Sequence, residues 1–369
     1  MTTRRIIIKL GTSTLTTGTE KLSSPHLIEL VRQIADLRVR GYQVIVISSG
    51  AMAAGREKLD FPDLPKFVPS KQMLSAIGQP RLMALYSQLF GFYGEIVAQV
   101  LLTRADLADR RRYINARNTL ESLLTQKVIP IVNENDTVAT EEIRFSDNDV
   151  LSALVANLVE ADLLVLLTDQ KGLYTGDPRI VDDATLVEEV NTPDIPEALW
   201  KAAGGTSSGL GRGGMLTKLH AADLARRSGT TVVIADGRLQ DVLLRIVNQE
   251  SVGTRLNPVH STLESRKRYM LAGRQTSDGL IEIDAGAANA LEKGGSLLPV
   301  GILSYTGEFE RGDTVHIVNP AGEEIAMGLV NYNSRDLGQL CGQQSAEIEA
   351  ILGYTFGDEV IHHNNMLLL

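Results

Sequence analysis

Hydrophobic positions in the first 250 residues follow two alternating rhythms. Short, nearly continuous apolar runs occur at residues 5–9, 44–47, 96–101, 128–132, 163–167 and 231–235. Between them the chain is long enough for helices. Leu27, Leu30, Val31, Ile34 and Leu37 recur at helical spacing, with Ser24 as N-cap, Pro25 at the first helical position and Gly41 as the stop. Unbroken apolar strands joined by helical crossovers predict an α/β fold: a three-layer αβα sandwich around a mostly parallel sheet. Ligands of such sheets bind beyond the carboxyl ends of the strands, so that edge is where chemistry is to be sought.

Past Leu256-Asn257-Pro258 the pattern changes. Ser265-Arg266-Lys267-Arg268 forms a basic connector, and strand candidates follow at residues 280–284, 302–305, 314–318 and 325–330. Asn319-Pro320-Ala321-Gly322 predicts a hairpin turn between the last two. These signals divide the chain into a first domain at 1–257, a linker at 258–274 and a small β-rich, barrel-like domain at 275–369. Charge supports the division. Residues 275–369 hold 14 acidic and 3 basic side chains, a balance of −11, against +2 for the rest.

Composition narrows the class. At 43% hydrophobic the chain has ample material for a core and is not a disordered one. The lone Cys341 excludes an intrachain disulfide and a cysteine-based zinc site. The longest apolar runs, such as Leu163-Leu164-Val165-Leu166-Leu167, fall well short of the roughly 20 residues of a membrane helix. Ile6-Ile7-Ile8 is too short for a secretory core, so a cytoplasmic protein without membrane contact is expected.

Each conspicuous polar cluster follows one of the predicted strands. Lys9 with Gly11-Thr12-Ser13 can meet phosphate oxygens through its ammonium and backbone N–H groups, or can be a solvated strand end. Ser48-Ser49-Gly50-Ala51 opens a helix, which suits either an anion or tight helix–sheet packing. Asn133-Glu134-Asn135-Asp136 and Asp147-Asn148-Asp149 each set an amide beside carboxylates. N-capping explains one such aspartate, but the pair of clusters suits an α-ammonium and a carboxylate on one small molecule. Thr168-Asp169-Gln170-Lys171-Gly172-Leu173-Tyr174, followed by Pro178, is either a plain turn, which needs only Gly and Asp, or one whose Tyr174 ring walls a flat base. Six glycines between 204 and 214 precede Met215-Leu216-Thr217-Lys218, a loop whose backbone can approach phosphates with Lys218 adding a point charge. Standing alone it reads as a flexible loop with a surface lysine, and its order is not that of a Walker A loop. Arg110-Arg111-Arg112, Asn115 and Arg117 read as a solvated helix face, with a lid or regulatory contact as the alternative.

The set decides. Two lysines, an anion-binding turn, two amide–acid clusters and a glycine-rich loop on one sheet edge are equipment for phosphoryl transfer, which needs charge neutralisation and positioning above all.

Lys9 with Gly11-Thr12-Ser13, Ser48–Ala51, the 168–174 stretch and Gly213-Gly214-Met215-Leu216-Thr217-Lys218 resemble the amino acid kinase family. Residues 133–136, Phe145–Asp149 and Leu102-Thr103-Arg104-Ala105-Asp106 resemble its glutamate-phosphorylating members, and Gly312-Asp313-Thr314-Val315 resembles their appended PUA domain. The resemblance implies ATP and Mg²⁺ acting on L-glutamate in proline biosynthesis, proline as feedback inhibitor, and a homotetramer or homodimer built on the kinase domain. It implies Lys9, Lys218, Asp169 and Asp149 as catalytic residues, with Asp169 holding the lysines. ATP falls to Lys9, Thr168, Asp169, Tyr174, Arg212, Gly213, Gly214, Met215, Leu216, Thr217 and Lys218. Glutamate falls to Ser49, Gly50, Asn133, Asp136, Asp147, Asn148 and Asp149. No protein ligand of the metal is implied, since ATP phosphates carry it. Sibling kinases of aspartate, N-acetylglutamate, carbamate or UMP are the alternative. An RNA-binding role for the PUA-like domain is the other, and its −11 charge argues against nucleic acid.

Overall fold

In a computed structural model of the chain the apolar runs become neighbours in one sheet. The structure describes residues 4–65, 67–139, 148–176, 178, 180–204, 214–259 and 276–369. Those up to 259 form one compact unit and those from 276 onward another.

The first unit holds β1 (Arg5–Leu10), β2 (Gln43–Ser48), β3 (Val97–Leu102), β4 (Ile129–Glu134), β5 (Leu163–Thr168), β6 (Glu189–Val190), β7 (Thr231–Asp236) and β8 (Thr254–Leu256). Their order is β3-β4-β2-β1-β5-β7-β8-β6, parallel throughout except between β7 and β8. The six expected strands are all present. Each runs one or two residues further at its carboxyl end; in β2, β4, β5 and β7 the added positions are polar (Ser48, Asn133, Glu134, Thr168, Asp236) and an apolar-run criterion stops before them, whereas β1 and β3 gain Leu10 and Leu102. Two- and three-residue strands such as β6 and β8 leave no periodic signal at all.

Ten helices accompany this sheet among the described residues: α1 (Thr12–Thr16), α2 (Ser24–Val39), α3 (Ala51–Lys58), α4 (Val68–Gly91), α5 (Arg104–Ala108), α6 (Arg110–Thr125), α7 (Asn148–Leu158), α8 (Glu197–Ala202), α9 (Met215–Arg227) and α10 (Val242–Val247). The N-cap of α2 is Ser23, one residue before the expected Ser24. Its side chain makes no capping bond, so two adjacent serines cannot be told apart by type. Alternation along β1 sends Ile6, Ile8 and Leu10 into a core shared with Leu27, Leu30 and Ile34 of α2 and Val242 and Leu243 of α10. Ile7 and Lys9 therefore face the opposite side, where α7 and α9 pack on each other and on β1 and β7. On the flank, α3 and α4 meet backbone to backbone. A Cβ at Gly78 would lie 1.8 Å from the Ala51 carbonyl oxygen, and one at Gly55 2.0 Å from that of Leu74.

The second unit has β9 (Thr276–Ile283), β10 (Ile302–Thr306), β11 (Thr314–Val318), β12 (Glu324–Leu329) and β13 (Met366–Leu368), ordered β10-β9-β11-β12-β13. Only β9 and β11 pair in parallel. The β11–β12 hairpin closes as its sequence predicts, with Gly322 at φ +80° donating its N–H to the Asn319 carbonyl at 2.9 Å. Ile281, Ile283, Val315, Ile317, Leu337 and Val360 give this unit its own core. Its described pairings form a small sheet with β10 and β13 as edges, and β13 went unread because its run is three residues long. The basic connector lies outside the described residues. Among the described residues no helix is long and apolar enough to cross a membrane.

Candidate active site

Lys9 is the penultimate residue of β1, on the face covered by α7. Asp149 lies in the first turn of α7, where the partial positive charge of the helix end favours an anion. Lys218 lies near the start of α9, which Gly214 opens. The three meet. Lys9 Nζ is 2.5 Å from Asp149 Oδ1 and Lys218 Nζ is 3.1 Å from Oδ2, with all three side chains buried. Thr217 Oγ1 lies 3.0 Å from the same Oδ2 and 2.8 Å from the Gly214 carbonyl oxygen. A side chain at Gly11 would crowd the cluster, since its Cβ would stand 3.3 Å from Lys9 Nζ. Burial alone would raise the Asp149 pKa, but the two ammoniums outweigh it and hold the carboxyl at about 2. The trio thus carries one net positive charge in a place screened from water.

The residue between the lysines is Asp149, which corrects the expectation of Asp169. Asp169 follows β5 in an exposed turn, where its Oδ1 accepts from Thr168 Oγ1 at 3.1 Å. Among the described residues it pairs with neither lysine.

On the β5 side of the trio lies a cavity of about 350 Å³. Ser13, Thr168 and Asp169 line one part of it; Leu173, Tyr174, Pro178, Leu199 and Ala203 form a largely apolar wall; Gly214, Met215 and Lys218 close it at the start of α9. Gly172 lets this wall fold against β8, because a Cβ there would come within 2.6 Å of Thr254 Oγ1. Of the expected nucleotide residues, Lys9, Leu216 and Thr217 are buried and off this lining, and Arg212 and Gly213 lie outside the described residues.

On the β2 and β4 side the neighbouring residue of α7 organises a polar set. Asn148 Nδ2 donates to Ser49 Oγ at 2.8 Å and to Asn133 Oδ1 at 3.0 Å. Asn133 Nδ2 donates in turn to Gln79 Oε1 at 2.8 Å, and Gln79 Nε2 to Gln99 Oε1 at 3.0 Å. Gly50, at φ +98°, turns the chain from β2 into α3. Asn148 Oδ1 is a buried acceptor without a partner among the described residues. Asp136 is half-buried, and burial pushes its carboxyl up against the opposing Ser75 hydroxyl. Glu134 is buried, and burial first, then the charges of Asp136 and Asp106, raise it to about 7. Asp147 lies outside the described residues.

Gln79 and Gln99 carry no sequence signal, one being mid-helix and the other mid-strand. Arg117 is a further correction: it is buried and donates to Glu160 Oε1 at 2.9 Å, while Arg111 and Arg112 are the exposed members of that stretch. Burying its arginine lets α6 reach the turn after α7, which spacing alone does not reveal.

Residues 4–236 match the amino acid kinase family and residues 279–352 the PUA domain. Glutamate 5-kinase of Photobacterium profundum is 54% identical over 365 residues, covering 99% of this chain and 96% of that protein. Glutamate 5-kinase of Shewanella oneidensis is 51% identical over 367 residues, covering 99% and 98%. The solved carbamate kinase from Giardia lamblia bound to AMP-PNP covers 70% of this chain and 99% of its own with a TM-score of 0.50 at 16% identity, a likeness of fold.

Proposed function

The chain belongs to the amino acid kinase family, and we propose that its reaction is that of the glutamate 5-kinases it matches: transfer of the γ-phosphoryl group of ATP to the γ-carboxylate of L-glutamate. The product, L-glutamyl 5-phosphate, opens proline biosynthesis. What carries this proposal is one juxtaposition: two buried ammoniums on Asp149, with the cavity on one side and the Ser49–Asn133–Asn148 set on the other.

Glutamate's γ-carboxylate has a reference pKa of about 4.3, so it arrives as an anion and needs no general base. The obstacle is repulsion between that anion and the triphosphate. Lys9 and Lys218 offset it and stabilise the charge that spreads over the transferring group, while Asp149 sets their spacing. The base lies against Tyr174 and Leu199, with Thr168, Asp169 and the Arg212–Lys218 segment along the rest of the nucleotide. Glutamate lies against Ser49, Gly50, Asn133 and Asn148, with Asp136 and Asp147 toward its α-ammonium. Loss of either lysine costs on the order of 10²–10³ in turnover.

Mg²⁺ fits this arrangement as a companion of the nucleotide. Such ions take one or two carboxylates plus phosphate oxygens, and Asp169 is the carboxylate that the chain offers on the cavity lining. Bound there it would neutralise phosphate charge. The same proposal makes residues 1–257 the catalytic domain and 258–274 the linker to the PUA domain. It also makes proline the feedback inhibitor, a homotetramer or homodimer of kinase domains the working form, and the cytoplasm its location.

Purified protein with ATP and Mg²⁺ is to be assayed by trapping the acyl phosphate with hydroxylamine, across glutamate, aspartate, N-acetylglutamate, carbamate and UMP (nucleotide release for the last two). Glutamate should be the substrate turned over. Turnover of N-acetylglutamate without glutamate would defeat the proposal.

A further inference from the structure

The turn that follows β5 supplies Thr168 and Asp169 to the cavity, and it is held from behind by a residue off the lining. β5 and β7 run in register to their carboxyl ends, Thr168 opposite Asp236. Just beyond, Gly237 donates its N–H to the Thr168 carbonyl at 2.9 Å. That approach is close: a Cβ on Gly237 would stand 2.8 Å from Thr14 Cγ2. Arg238 then folds back over β7. Its Nε and Nη2 donate to the two oxygens of Asp236 at 2.9 and 2.8 Å, and its own backbone N–H donates to Oδ1 at 2.9 Å. Thus clamped, Nη2 donates to the Asp169 carbonyl oxygen at 2.6 Å.

From this geometry we infer that Arg238 is a positioning residue of the nucleotide subsite, fixing the Asp169 peptide so that Thr168 and Asp169 face the cavity. The guanidinium fork is what the arrangement requires. A planar group can hold two carboxylate oxygens and one carbonyl at once, whereas a lysine ammonium has no such fixed fork. Because Asp236 neutralises Arg238, the pair adds little net field at the cavity, and its effect is one of placement rather than long-range attraction.

The inference rests on the assignment of the cavity to ATP, and binding of MgADP by calorimetry separates the two. Wild-type protein should bind MgADP. In Arg238→Ala the dissociation constant should rise about tenfold, as expected when one charge-assisted hydrogen bond is lost. Arg238→Lys should recover part of the loss, and guanidinium chloride at low millimolar concentration should restore binding to Arg238→Ala. The KM for glutamate should stay within twofold of wild type. With the Arg238 side chain 58% exposed, its removal opens no cavity, and the melting temperature should fall by less than about 3 °C. Asp236→Asn, which loosens the fork without removing the arginine, should weaken MgADP in the same direction. Unchanged MgADP affinity in Arg238→Ala overturns the inference while leaving the cavity assignment intact. A general loss of glutamate KM, nucleotide affinity and melting temperature together also overturns it, as a purely structural effect. A wild-type protein that binds no adenine nucleotide overturns the cavity assignment and the inference with it.

Discussion

Asp149→Asn is the substitution on which the catalytic geometry can be judged most sharply. The change keeps shape and removes one charge from between two buried ammoniums. The carboxyl is held at about 2 instead of its ordinary 3.8, which corresponds to about 2 kcal/mol of favourable coupling at neutral pH. The repulsion between the two ammoniums is present with or without the carboxylate, so it adds nothing to the difference between variant and wild type. A loss of about 2 kcal/mol lowers the melting temperature of a unit of this size by about 5 °C. Turnover should drop on the order of 10²–10³-fold, since the electrostatic donors lose their placement.

Nucleotide affinity should behave differently. The diphosphate of MgADP brings negative charge to the uncompensated lysines, so it should bind the variant at least as tightly as wild type and raise its melting temperature more. Thermal unfolding with and without MgADP, beside hydroxamate-trapped turnover, reads all three quantities. Because the carboxyl pKa is depressed in the folded chain, this stabilisation is fully present above about pH 3.8 and fades as pH falls toward 2. A variant that melts within 2 °C of wild type, or that keeps turnover within tenfold, refutes the role given to Asp149.

Three further outcomes follow. Gly78→Ala forces α3 and α4 apart against the Ala51 carbonyl, so it should destabilise by about 3 kcal/mol and raise the KM for glutamate through Ser49 and Gly50, while Gly91→Ala, in open space, should do neither. Glu134 has a folded pKa of about 7 against an ordinary 4.5, so the folded chain binds the extra proton and this contribution to stability is lost as pH rises from about 4.5 to 7; Glu134→Gln should therefore gain on wild type by up to about 3 kcal/mol between pH 5 and pH 8 in urea unfolding, and parallel pH curves would count against it. With 14 acidic and 3 basic residues in 275–369, the full protein should show no submicromolar RNA binding at 0.1 M salt in filter assays, and a salt-dependent complex would contradict the charge argument.

What a sequence discloses here depends on whether a contact is written in a local pattern. The parallel strands were legible because β1, β2, β5 and β7 are buried on both faces and their residues run apolar without interruption. Lys9 could be singled out because it interrupts such a run just before a glycine turn, and Lys218 because it follows a glycine-rich loop. Their partner could not. Asp149 and Asp169 are both acids beside a polar cluster, and only the packing of α7 on β1 and α9 says which one the lysines find. Gln79 and Gln99 were invisible for the same reason, since Gln79 joins Asn133 and Gln99 joins Gln79 through space, from a helix and a strand with no motif. Arg117 misled because its basic neighbours are exposed, whereas its own position turns inward to Glu160.

The start of α7 also explains how one small rearrangement would reach both halves of the site. Asn148 and Asp149 are consecutive, and each belongs to a different half. Asn148 ties the helix to Ser49 and Asn133, at the ends of β2 and β4. Asp149 ties it to Lys9 of β1 and Lys218 of α9. A helix turn is rigid on the scale of these bonds, so a displacement that lengthens the amide contacts must also shift the carboxylate between its lysines. Under the proposed function, an amino acid held on the Asn148 side would steady the Asn148 amide, whose Oδ1 has no partner among the described residues, and with it the spacing of the two ammoniums. Binding of the acceptor would then be coupled to that spacing through two adjacent residues on a single helix end.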